Sequence, residues 1–454
     1  MITLFNTLSR KKELFASITP QTIGVYTCGP TVYHYVHIGN LRTYVFEDVL
    51  VRTLRHAGYT VKHVMNITDV GHLTDDADAG EDKMEKGSRR EGNTAWEVAA
   101  FYTEAFMHDM KQLNLTEPTI WCKATDHIQE QIDQVQTLID TGYTYETKDG
   151  IYFNTAACDN YGALANLQNQ ELQAGSRVDM GEKKHAHDFA LWKFSQPGEH
   201  RQMEWDAFGK KGFPGWHIEC SAMAMKYLGT HIDIHCGGID HIPVHHTNEI
   251  AQAECAGAHH PWVNVWMHGE FLVVPSGKMS KSDDNFLTLE TLFTKGIDPL
   301  AYRYFLLQAH YRKQLTFTWE ALEAATNGLK NLKKQIAAID ENIVDDESTT
   351  DAFFTAVYDD LNTPEALAVL WTGLKQGTVS RNMIKQFDDV LGLNLLTTDS
   401  PIPHDISEHV QALLDARAEA RKNKDWGTSD ALRDEIHALG FEIEDTSDGQ
   451  ALSR

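Results

Sequence analysis

One run of four residues, His37-Ile38-Gly39-Asn40, lies where a short β-rich segment passes into a helical pattern. The carboxyl end of a strand that leads into a helix is the usual ligand position in an open α/β sheet. A helix N-terminus offers unpaired N–H groups to phosphate, and Gly39 lets a nucleotide approach the backbone closely. His34 and His37 could then hydrogen-bond a triphosphate while its α-phosphorus is attacked. Taken alone, however, four residues fit a surface histidine beside a helix cap better.

A second run, Lys278-Met279-Ser280-Lys281-Ser282, follows a glycine and precedes three polar residues. Two lysines three positions apart on such a loop suit a mobile cationic clamp for the β- and γ-phosphates of a nucleotide. Charge that develops there during an in-line displacement would be stabilised electrostatically. An isolated pair of lysines is more commonly a solvated basic loop. Residues 278–282 therefore indicate nucleotide binding only because the chain also contains residues 37–40.

A third set consists of four metal-ligand types that lie far apart in the chain: Cys28, Cys220, His245 and Glu249. His245 and Glu249 are four residues apart, so they face the same side of a helix. Two thiolates, an imidazole and a carboxylate make a tetrahedral zinc set. Buried cysteines are usually small apolar core residues, and His245 could merely cap its helix. Spacing alone favours this second interpretation.

The elements that would position these residues form a strand-helix-strand unit. Residues 22–27 predict a strand, residues 39–57 a helix with apolar side chains at helical spacing, and residues 60–68 a second buried strand. This order opens a parallel, doubly wound sheet. Alternation resumes with a strand at 231–235, a helix at 245–256 and a strand at 262–267, which we interpret as the second half of the same sheet.

Composition excludes several classes of protein. The 40 basic and 65 acidic residues give a formal charge of −25, which argues against indiscriminate binding to polyanions. The six cysteines are spread over 454 residues, unlike the framework of a small secreted domain, so we expect reduced thiols. The apolar stretches are shorter than the roughly 18 residues of a membrane span. With no apolar segment of signal-peptide type at the start, we expect a cytoplasmic protein without a membrane partner.

The two phosphate-binding runs together resemble the signatures of class I aminoacyl-tRNA synthetases. His37-Ile38-Gly39-Asn40 is similar to their HIGH motif, and residues 278–282 match KMSKS in the same order and separation. Three further segments resemble cysteinyl-tRNA synthetases, namely residues 26–33, 215–223 and 245–252. The resemblance covers essentially the whole chain. It implies a ligase that forms cysteinyl adenylate from L-cysteine and ATP and transfers cysteine to the 3′ end of tRNA(Cys).

The same resemblance implies one zinc ion per chain, held by Cys28, Cys220, His245 and Glu249, with the thiolate of the substrate as a further ligand. An apolar pocket separates cysteine from serine by only about 1–3 kcal/mol, whereas a soft thiolate on zinc is a sharper criterion. His246 is a rival ligand one residue away. The amino-acid pocket implied by the resemblance comprises Gly29, Thr68, Trp216 and Asp240.

The ATP site is expected at both signatures. We expect ATP with Mg²⁺ to bind Thr31, His37, Gly39, Asn40, Lys278 and Lys281, and catalysis to involve His34, His37, Asn40, Lys278 and Lys281. Asn40 departs from the final histidine of the motif, a substitution between groups that donate hydrogen bonds. Catalysis of this kind is mostly positioning and charge stabilisation, so no side-chain nucleophile is needed.

The fold class that we predict is α/β, a doubly wound, Rossmann-type parallel sheet with an insertion, followed by a helical bundle and a small C-terminal α+β domain. A chain of 454 residues should contain two to four domains. The predicted segments are the first catalytic half at 1–130, a connective insertion at 131–203, the second catalytic half at 204–275, the KMSKS and stem-contact region at 276–318, the bundle at 319–396 and the C-terminal domain at 405–454.

Two groups of basic residues predict a path for tRNA across this acidic chain. One lies on a helical stripe, and the other lies in the tail: Lys330, Lys333 and Lys334, then Arg417, Arg421, Lys422 and Lys424. Without the catalytic signatures they would be ordinary solvated helix faces. With the signatures, contact of these residues with tRNA phosphates is the better interpretation. We also expect the chain to act as a monomer.

Three other functions fit parts of the sequence. A cysteine ligase that acts on a small amino sugar, as in mycothiol synthesis, shares only the catalytic portion, and the tail from Asp405 disfavours it. A tRNA-binding protein with a decayed site is disfavoured by intact His37, Lys278 and Lys281. A zinc hydrolase would keep an open coordination position, but here that position would lie beside nucleotide motifs.

Overall fold

The first half of the catalytic sheet forms as its hydrophobic pattern predicts. The computed structural model describes residues 1–71, 82–166, 182–196, 198, 201–274, 277–278, 286–397, 408–423, 425–438, 442–446 and 449–453. The chain starts with an antiparallel hairpin of β1 (Thr3–Asn6) and β2 (Lys11–Leu14). The predicted strand-helix-strand unit follows as β3 (Thr22–Thr27), α1 (Ile38–His56) and β4 (Thr60–Ile67). Further elements are α2 (Lys83–Glu91), α3 (Ala95–Gln112), β5 (Ile120–Lys123) and α4 (Ile128–Asp140).

An antiparallel sheet interrupts the parallel one. Its strands are β6 (Thr144–Glu146), β7 (Gly150–Phe153), β8 (Phe189–Phe194), β9 (Trp205–Ala207) and β10 (Lys210–Pro214), in the order β6-β7-β8-β10-β9. The boundary predicted at residue 203 falls inside this sheet, because β9 and β10 pair with each other and β10 pairs with β8.

The second half of the parallel sheet completes the doubly wound fold. It comprises α5 (Trp216–Leu228), β11 (Ile232–Gly238), α6 (His245–Cys255) and β12 (Val263–Gly269). The strand order is β12-β11-β3-β4-β5, and all neighbours are parallel. The chain winds from β3 in both directions, so the carboxyl ends of β3 and β11 flank the point where the order reverses. Ligands bind at this point in open α/β sheets.

A three-stranded sheet follows the catalytic core. It contains β13 (Leu272–Val274), β14 (Gly277–Lys278) and β15 (Leu315–Thr316), in the order β14-β13-β15. Helices α7 (Leu289–Thr294) and α8 (Pro299–Leu307) lie between β14 and β15 in the chain. The predicted phosphate clamp is largely outside the described residues. Only the backbone of Lys278 is described, and Lys281 is not.

The predicted helical bundle consists of α9 (Trp319–Ala337), α10 (Glu347–Tyr358), α11 (Thr363–Gln376) and α12 (Arg381–Leu391). The apolar stripe of α9 is buried as expected through Ile336. Helix α11 begins at Thr363, with Pro364 as its second residue. The cap is Asn362, whose side chain accepts from the Glu365 N–H at 3.4 Å, and the Thr363 hydroxyl donates to the Leu307 carbonyl at 2.8 Å.

The tail is a small α+β unit, as predicted. Helices α13 (Glu408–Lys422) and α14 (Trp426–Ala438) precede the antiparallel hairpin of β16 (Glu442–Thr446) and β17 (Gly449–Ser453). Its own apolar cluster contains Leu413, Leu414, Ile436 and Ile443. Arg417 is fully buried, so the prediction that it contacts phosphate is wrong. A helical pattern does not reveal that this arginine faces inward.

None of the described helices is both long and apolar enough to cross a membrane.

Arg303 on α8 joins the catalytic core to the helical bundle. Its guanidinium donates to the Asp48 carboxylate of α1 at 2.6 Å and to the carbonyl of Leu391, at the end of α12, at 2.7 Å. Arg52 is a second partner of Asp48 at 2.8 Å. Burial alone would raise the pKa of the Asp48 carboxyl, but the two guanidiniums offset it and hold that pKa below its usual value. A buried carboxylate with two cationic partners thus fixes α1 against α8.

We predict that Arg303→Met lowers the free energy of unfolding by about 3–5 kcal/mol, since it leaves the buried Asp48 carboxylate poorly compensated. Because the folded pKa is depressed, this stabilisation is present above the unfolded pKa of about 4 and is lost as pH falls through the folded value. Thermal and urea unfolding at neutral pH and at decreasing pH measure it.

The matched control is Lys12→Met, which removes an ion pair to Asp359 whose side chains are 40% and 51% exposed. Exposed pairs contribute about 0–1 kcal/mol, so this variant should unfold almost as the parent does. Equal losses in both variants would contradict the assigned role of Arg303.

Candidate active site and metal-ligand cluster

A cleft of about 200 Å³ opens where the strand order reverses. Its walls come from the segments after β3, β4 and β11 and from the first turns of α1, α5 and α6. Most of the predicted site residues line it together: Cys28, Gly29, Thr31, His37, Asn40, Thr68, Trp216, Cys220, Asp240 and His245. The structure therefore brings the predicted nucleotide, amino-acid and metal residues to one place.

One wall of the cleft consists of two backbone segments, residues 29–30 and 66–68, that are hydrogen-bonded to each other. The Gly29 N–H donates to the Asn66 side-chain oxygen at 2.8 Å, and the Asn66 amide donates to the Thr68 hydroxyl at 3.1 Å. The Thr68 N–H donates to the Pro30 carbonyl at 3.0 Å. A Cβ at position 29 would fall on the carbonyl of Asn66, so only glycine fits. Asn66 was not predicted as a site residue, although it precedes Thr68 by two positions.

His37 is the N-cap of α1 and forms a reciprocal pair with Asn40. The Asn40 N–H donates to His37 Nδ1 at 3.1 Å, and the His37 N–H donates to the Asn40 side-chain oxygen at 3.3 Å. Asn40 therefore stands where the motif has a histidine, and it caps the N-terminus of α1 together with His37. Because Nδ1 accepts, the neutral ring of His37 carries its proton on Nε2, where it can donate to a ligand.

His34 and Gly39 do not line the cleft. His34 packs against the rings of Phe286 and Tyr102, with centroids 4.7 Å and 5.9 Å away. His37 also contacts Phe286, at 5.9 Å. Phe286, the first described residue after the KMSKS run, therefore lies against both histidines. Gly39 lies in the first turn of α1.

The four predicted metal ligands converge. The ligand atoms of Cys28, Cys220, His245 and Glu249 all lie within 4.8 Å of one another, and all four residues are buried. We call these four residues the donor cluster. Helix α5 supplies Cys220, and α6 supplies His245 and Glu249, whose Nε2 and Oε1 atoms are 3.0 Å apart. Two thiols, an imidazole and a carboxylate at this separation are chemically fit to hold a metal ion.

A second set overlaps the first. Cys28 and Glu249 also lie within 4.8 Å of the ring nitrogens of His235 and His246. His235 Nε2 is 2.9 Å from Glu249 Oε2, and His246 Nε2 is 3.3 Å from the Cys28 sulfur. Burial depresses the pKa of His246 well below its usual value, so this imidazole is neutral. His235 was missed, and the available signal was a histidine near the carboxyl end of a central strand.

Two neighbours orient His245. His217 Nδ1 lies 2.9 Å from His245 Nδ1, and the Trp216 ring stacks on His245 with centroids 4.5 Å apart. With Nδ1 engaged, Nε2 points toward Glu249. Ligating histidines are commonly fixed in this way by a bond at the other ring nitrogen. His217 was also missed, although it lies three positions before Cys220 on the same helix.

The charges in the donor cluster are coupled and of both signs. A hydrogen bond from Cys28 lowers the pKa of the Cys220 thiol to about 7, despite burial. Burial would raise the pKa of Glu249, but His235 and His245 hold it at about 2. Burial likewise opposes charge on His245, yet the Glu249 carboxylate and Cys220 raise its pKa to about 10. A partly ionised thiol and a carboxylate at one point attract a cation, which displaces protons when it binds.

Further polar groups surround the amino-acid end of the cleft. Lys83 Nζ lies 5.3 Å from the centre of the Trp216 ring, and both residues line the cleft. Burial raises the pKa of Glu219 well above its usual value, so this carboxyl is neutral. Asp240 lies in the short turn after β11. The pocket therefore offers an exposed carboxylate at Asp240 and a hydroxyl at Thr68.

Two family descriptions match the chain. Residues 14–327 match the catalytic domain of class I (C) tRNA synthetases, and residues 404–451 match the cysteinyl-tRNA ligase anticodon binding domain. The fold is also similar to methionyl-tRNA synthetase of Mycobacterium tuberculosis bound by methionyl-adenylate, with a TM-score of 0.58 at 16% identity over 82% of this chain and 88% of that one. At this identity the likeness concerns the fold alone.

Curated relatives extend over the full length. The chain is 54% identical to cysteine–tRNA ligase 1 of Burkholderia lata, over 99% of this chain and 96% of the relative. It is 45% identical to cysteine–tRNA ligase of Treponema denticola, over 97% of each chain. The predicted resemblance is thereby confirmed, and the chain belongs to the cysteine–tRNA ligase family of class I aminoacyl-tRNA synthetases.

Proposed function

We propose that this chain, as a monomer, activates L-cysteine with ATP and Mg²⁺ and transfers the cysteinyl group to the 3′ end of tRNA(Cys). The observation that carries this proposal is the donor cluster at one end of a cleft whose other end is the N-terminus of α1. One end suits a thiol-bearing substrate and the other suits phosphate. Both ends belong to a single cavity, as adenylate formation requires.

Zinc is the metal that we propose for the donor cluster. Of the two overlapping sets, only the donor cluster has three ligands that line the cleft, namely Cys28, Cys220 and His245. His235 and His246 belong to the other set and are not among the cleft residues. A zinc ion in the donor cluster would favour the thiolate of cysteine over the hydroxyl of serine. His217 and Trp216 hold His245 in place, and His235 hydrogen-bonds the Oε2 atom of Glu249.

The rest of the amino acid is positioned by this chain's own groups. Asp240 and Thr68 suit the ammonium group of the substrate, because one is a carboxylate and the other a hydroxyl at the cleft wall. Trp216 provides the apolar wall beside His245. The substrate carboxylate then faces the first turn of α1. Fixing both reactants in this way replaces a bimolecular encounter by an oriented one.

Phosphate binding falls to the start of α1 and the KMSKS lysines. His37 donates through Nε2, while Asn40 and Thr31 line the cleft beside it. As the substrate carboxylate attacks the α-phosphorus, pyrophosphate leaves with its charge stabilised by Lys278 and Lys281. Phe286, the first described residue after the KMSKS run, contacts both His34 and His37.

We predict that Cys220→Ser loses zinc and cysteine affinity together. Loss of a ligand should weaken metal binding at least as much as loss of a supporting residue, which costs about 10–100-fold. Metal content by mass spectrometry and the KM for cysteine in pyrophosphate exchange, with serine as competitor, measure both effects. Cys122→Ser is the control, since Cys122 is buried but belongs to neither ligand set. Full metal occupancy with unchanged cysteine selectivity would falsify the assignment.

A pair of histidine variants separates the two ligand sets. If the donor cluster holds the metal, His245→Gln should release it, whereas His246→Gln should retain most of it. The reverse order would place the metal between His235 and His246.

The phosphate clamp leads to a separate prediction. Lys281→Ala should slow cysteine-dependent pyrophosphate exchange by about 100- to 1,000-fold, because its charge acts mainly as pyrophosphate departs. Binding of cysteine, measured by calorimetry, should stay near that of the parent. The control is Lys295→Ala, which removes an exposed lysine that lies over the Trp319 ring. Weakened cysteine binding with a normal exchange rate would show that Lys281 has a different role.

The tRNA-binding surface that we propose is smaller than the one first predicted. Lys330 and Lys334 are exposed on α9, and Lys422 is exposed at the end of α13. Arg421 is half-buried beside the ring of Trp426, which is 57% exposed. Arg417 is excluded by its burial, and Lys424 lies outside the described residues. The remaining cations offer phosphate contacts on both helical regions.

A chain that ends at Leu396 should keep pyrophosphate exchange but charge tRNA poorly, because the tail has its own apolar cluster and lies after the catalytic segments. The slope of log K against log salt for tRNA binding should become shallower by about 0.9 for each duplex phosphate that the protein no longer neutralises. A full-length variant with Arg421→Glu and Lys422→Glu tests the same surface without truncation. Unimpaired charging by both would rule out the tail as a tRNA module, and transfer to an amino sugar alone would favour the smaller ligase.

A further inference from the structure

Two cysteines outside the cleft lie in contact with each other. Cys158 follows the short 3-10 turn Thr155–Ala157 after β7, and Cys255 is the last residue of α6. Their sulfur atoms are 2.8 Å apart, although 97 positions separate them in the chain. Both are free thiols and half-buried, whereas Cys122 and Cys236 are buried. The proposed aminoacylation uses neither Cys158 nor Cys255.

We propose that Cys158 and Cys255 form a redox-active dithiol, which small disulfides oxidise to an intramolecular disulfide and thiols reduce again. Sulfur atoms at 2.8 Å are closer than van der Waals contact. Closing a bond of about 2.05 Å requires a movement of less than about 1 Å. The pair is therefore arranged for bond formation without rearrangement of the fold.

The surroundings distinguish the two sulfurs. A cavity of about 570 Å³ lies on the far side of α6 from the cleft, and Cys158 lines it together with Tyr161, Ile250, Glu254 and His260. Cys255 is not among the residues that line the cavity. A small disulfide in this cavity thus meets Cys158 first.

The electrostatics agree with this order. A hydrogen bond from Cys255 lowers the pKa of the Cys158 thiol below its usual value, and the same interaction raises the pKa of Cys255. The thiolate is the nucleophile in exchange, so the sulfur with the lower pKa attacks at neutral pH. Cys158 is the entry sulfur and Cys255 the resolving one.

The exchange balances in two steps. The Cys158 thiolate attacks one sulfur of a small disulfide RSSR, whose S–S bond breaks and releases RS⁻, and RS⁻ takes up the proton that Cys158 gave up. The Cys255 thiolate then attacks the Cys158 sulfur of the mixed disulfide, and the second RSH leaves with the proton of Cys255. The protein loses two electrons and two protons, and RSSR gains them as two RSH.

The bond would join the antiparallel insertion to α6, the helix that carries His245 and Glu249. It would close a long loop, since 97 positions separate the two cysteines, and would restrict the unfolded chain without moving the donor cluster. Oxidation is therefore expected to raise the thermal midpoint while leaving pyrophosphate exchange near its reduced value.

The test treats the metal-loaded, full-length protein with bis(2-hydroxyethyl) disulfide, a neutral probe that releases no cysteine into the catalytic cleft. Intact mass should fall by two hydrogen atoms, the free-thiol titre should fall by two per chain, and peptide mapping should link Cys158 to Cys255. Dithiothreitol should reverse all three changes. The thermal midpoint should rise on oxidation and return on reduction.

Single variants fix the order of events. Cys255→Ser should accumulate a mixed disulfide at Cys158, and Cys158→Ser should stay largely unmodified, whereas Cys122→Ser should behave as the parent does. A stable mixed disulfide at Cys158 in the parent chain, or a cross-link between Cys28 and Cys220 instead, would overturn the proposal. First modification at Cys255 would overturn the assignment of the entry sulfur.

Discussion

The buried carboxylate of Glu249 is the group on which the site depends. A fully buried negative charge is tolerated only with compensating partners, and Glu249 has His235 on one oxygen and His245 on the other. These contacts fix α6 against β11, because His235 belongs to that strand. The position of α6 in turn determines where Cys28 and Cys220 meet the carboxylate. The metal-ligand cluster is thus a consequence of how one charge is neutralised.

A second buried carboxylate with cationic partners joins the catalytic core to the helical bundle. Asp48 on α1 is a buried carboxylate held by Arg303 and Arg52, and it fixes the helix whose N-terminus we propose as the phosphate site. Glu249 fixes the end of the cleft that holds the donor cluster, and Asp48 fixes α1 at the other end. The distance between the two reacting ends therefore depends on two compensated charges as well as on apolar packing. In a chain of net charge −25, these internal acids are stabilised by specific cations and not by the overall field.

Sequence was sufficient where the signal was local. The bounds of β3, α1 and β4 follow from hydrophobic period and turn residues, and His245 with Glu249 follows from helical spacing. The missed residues are those whose roles arise only from tertiary contact. The contacts of His235 with Glu249 and of His217 with His245 join different elements of the fold. Arg417 has the pattern of an exposed cation on α13 but is buried in the tail. Short antiparallel strands such as β9 and β10 also carry too little periodicity to mark where the insertion ends.

Helix α6 shows why such tertiary contacts decide function. Its 11 residues present His245, His246 and Glu249 to the sheet edge, and Thr247, Ile250 and Glu254 to the cavity behind. So short a helix has little stability of its own and must be held at both ends. The Thr247 hydroxyl donates to the Ile242 carbonyl at 2.7 Å, and Glu254 accepts from the Trp262 N–H at 2.9 Å. The proposed selection of a thiol over a hydroxyl needs ligands placed to within about 0.5 Å. That precision comes from the contacts that fix the two ends of α6, since the donor residues alone cannot supply it.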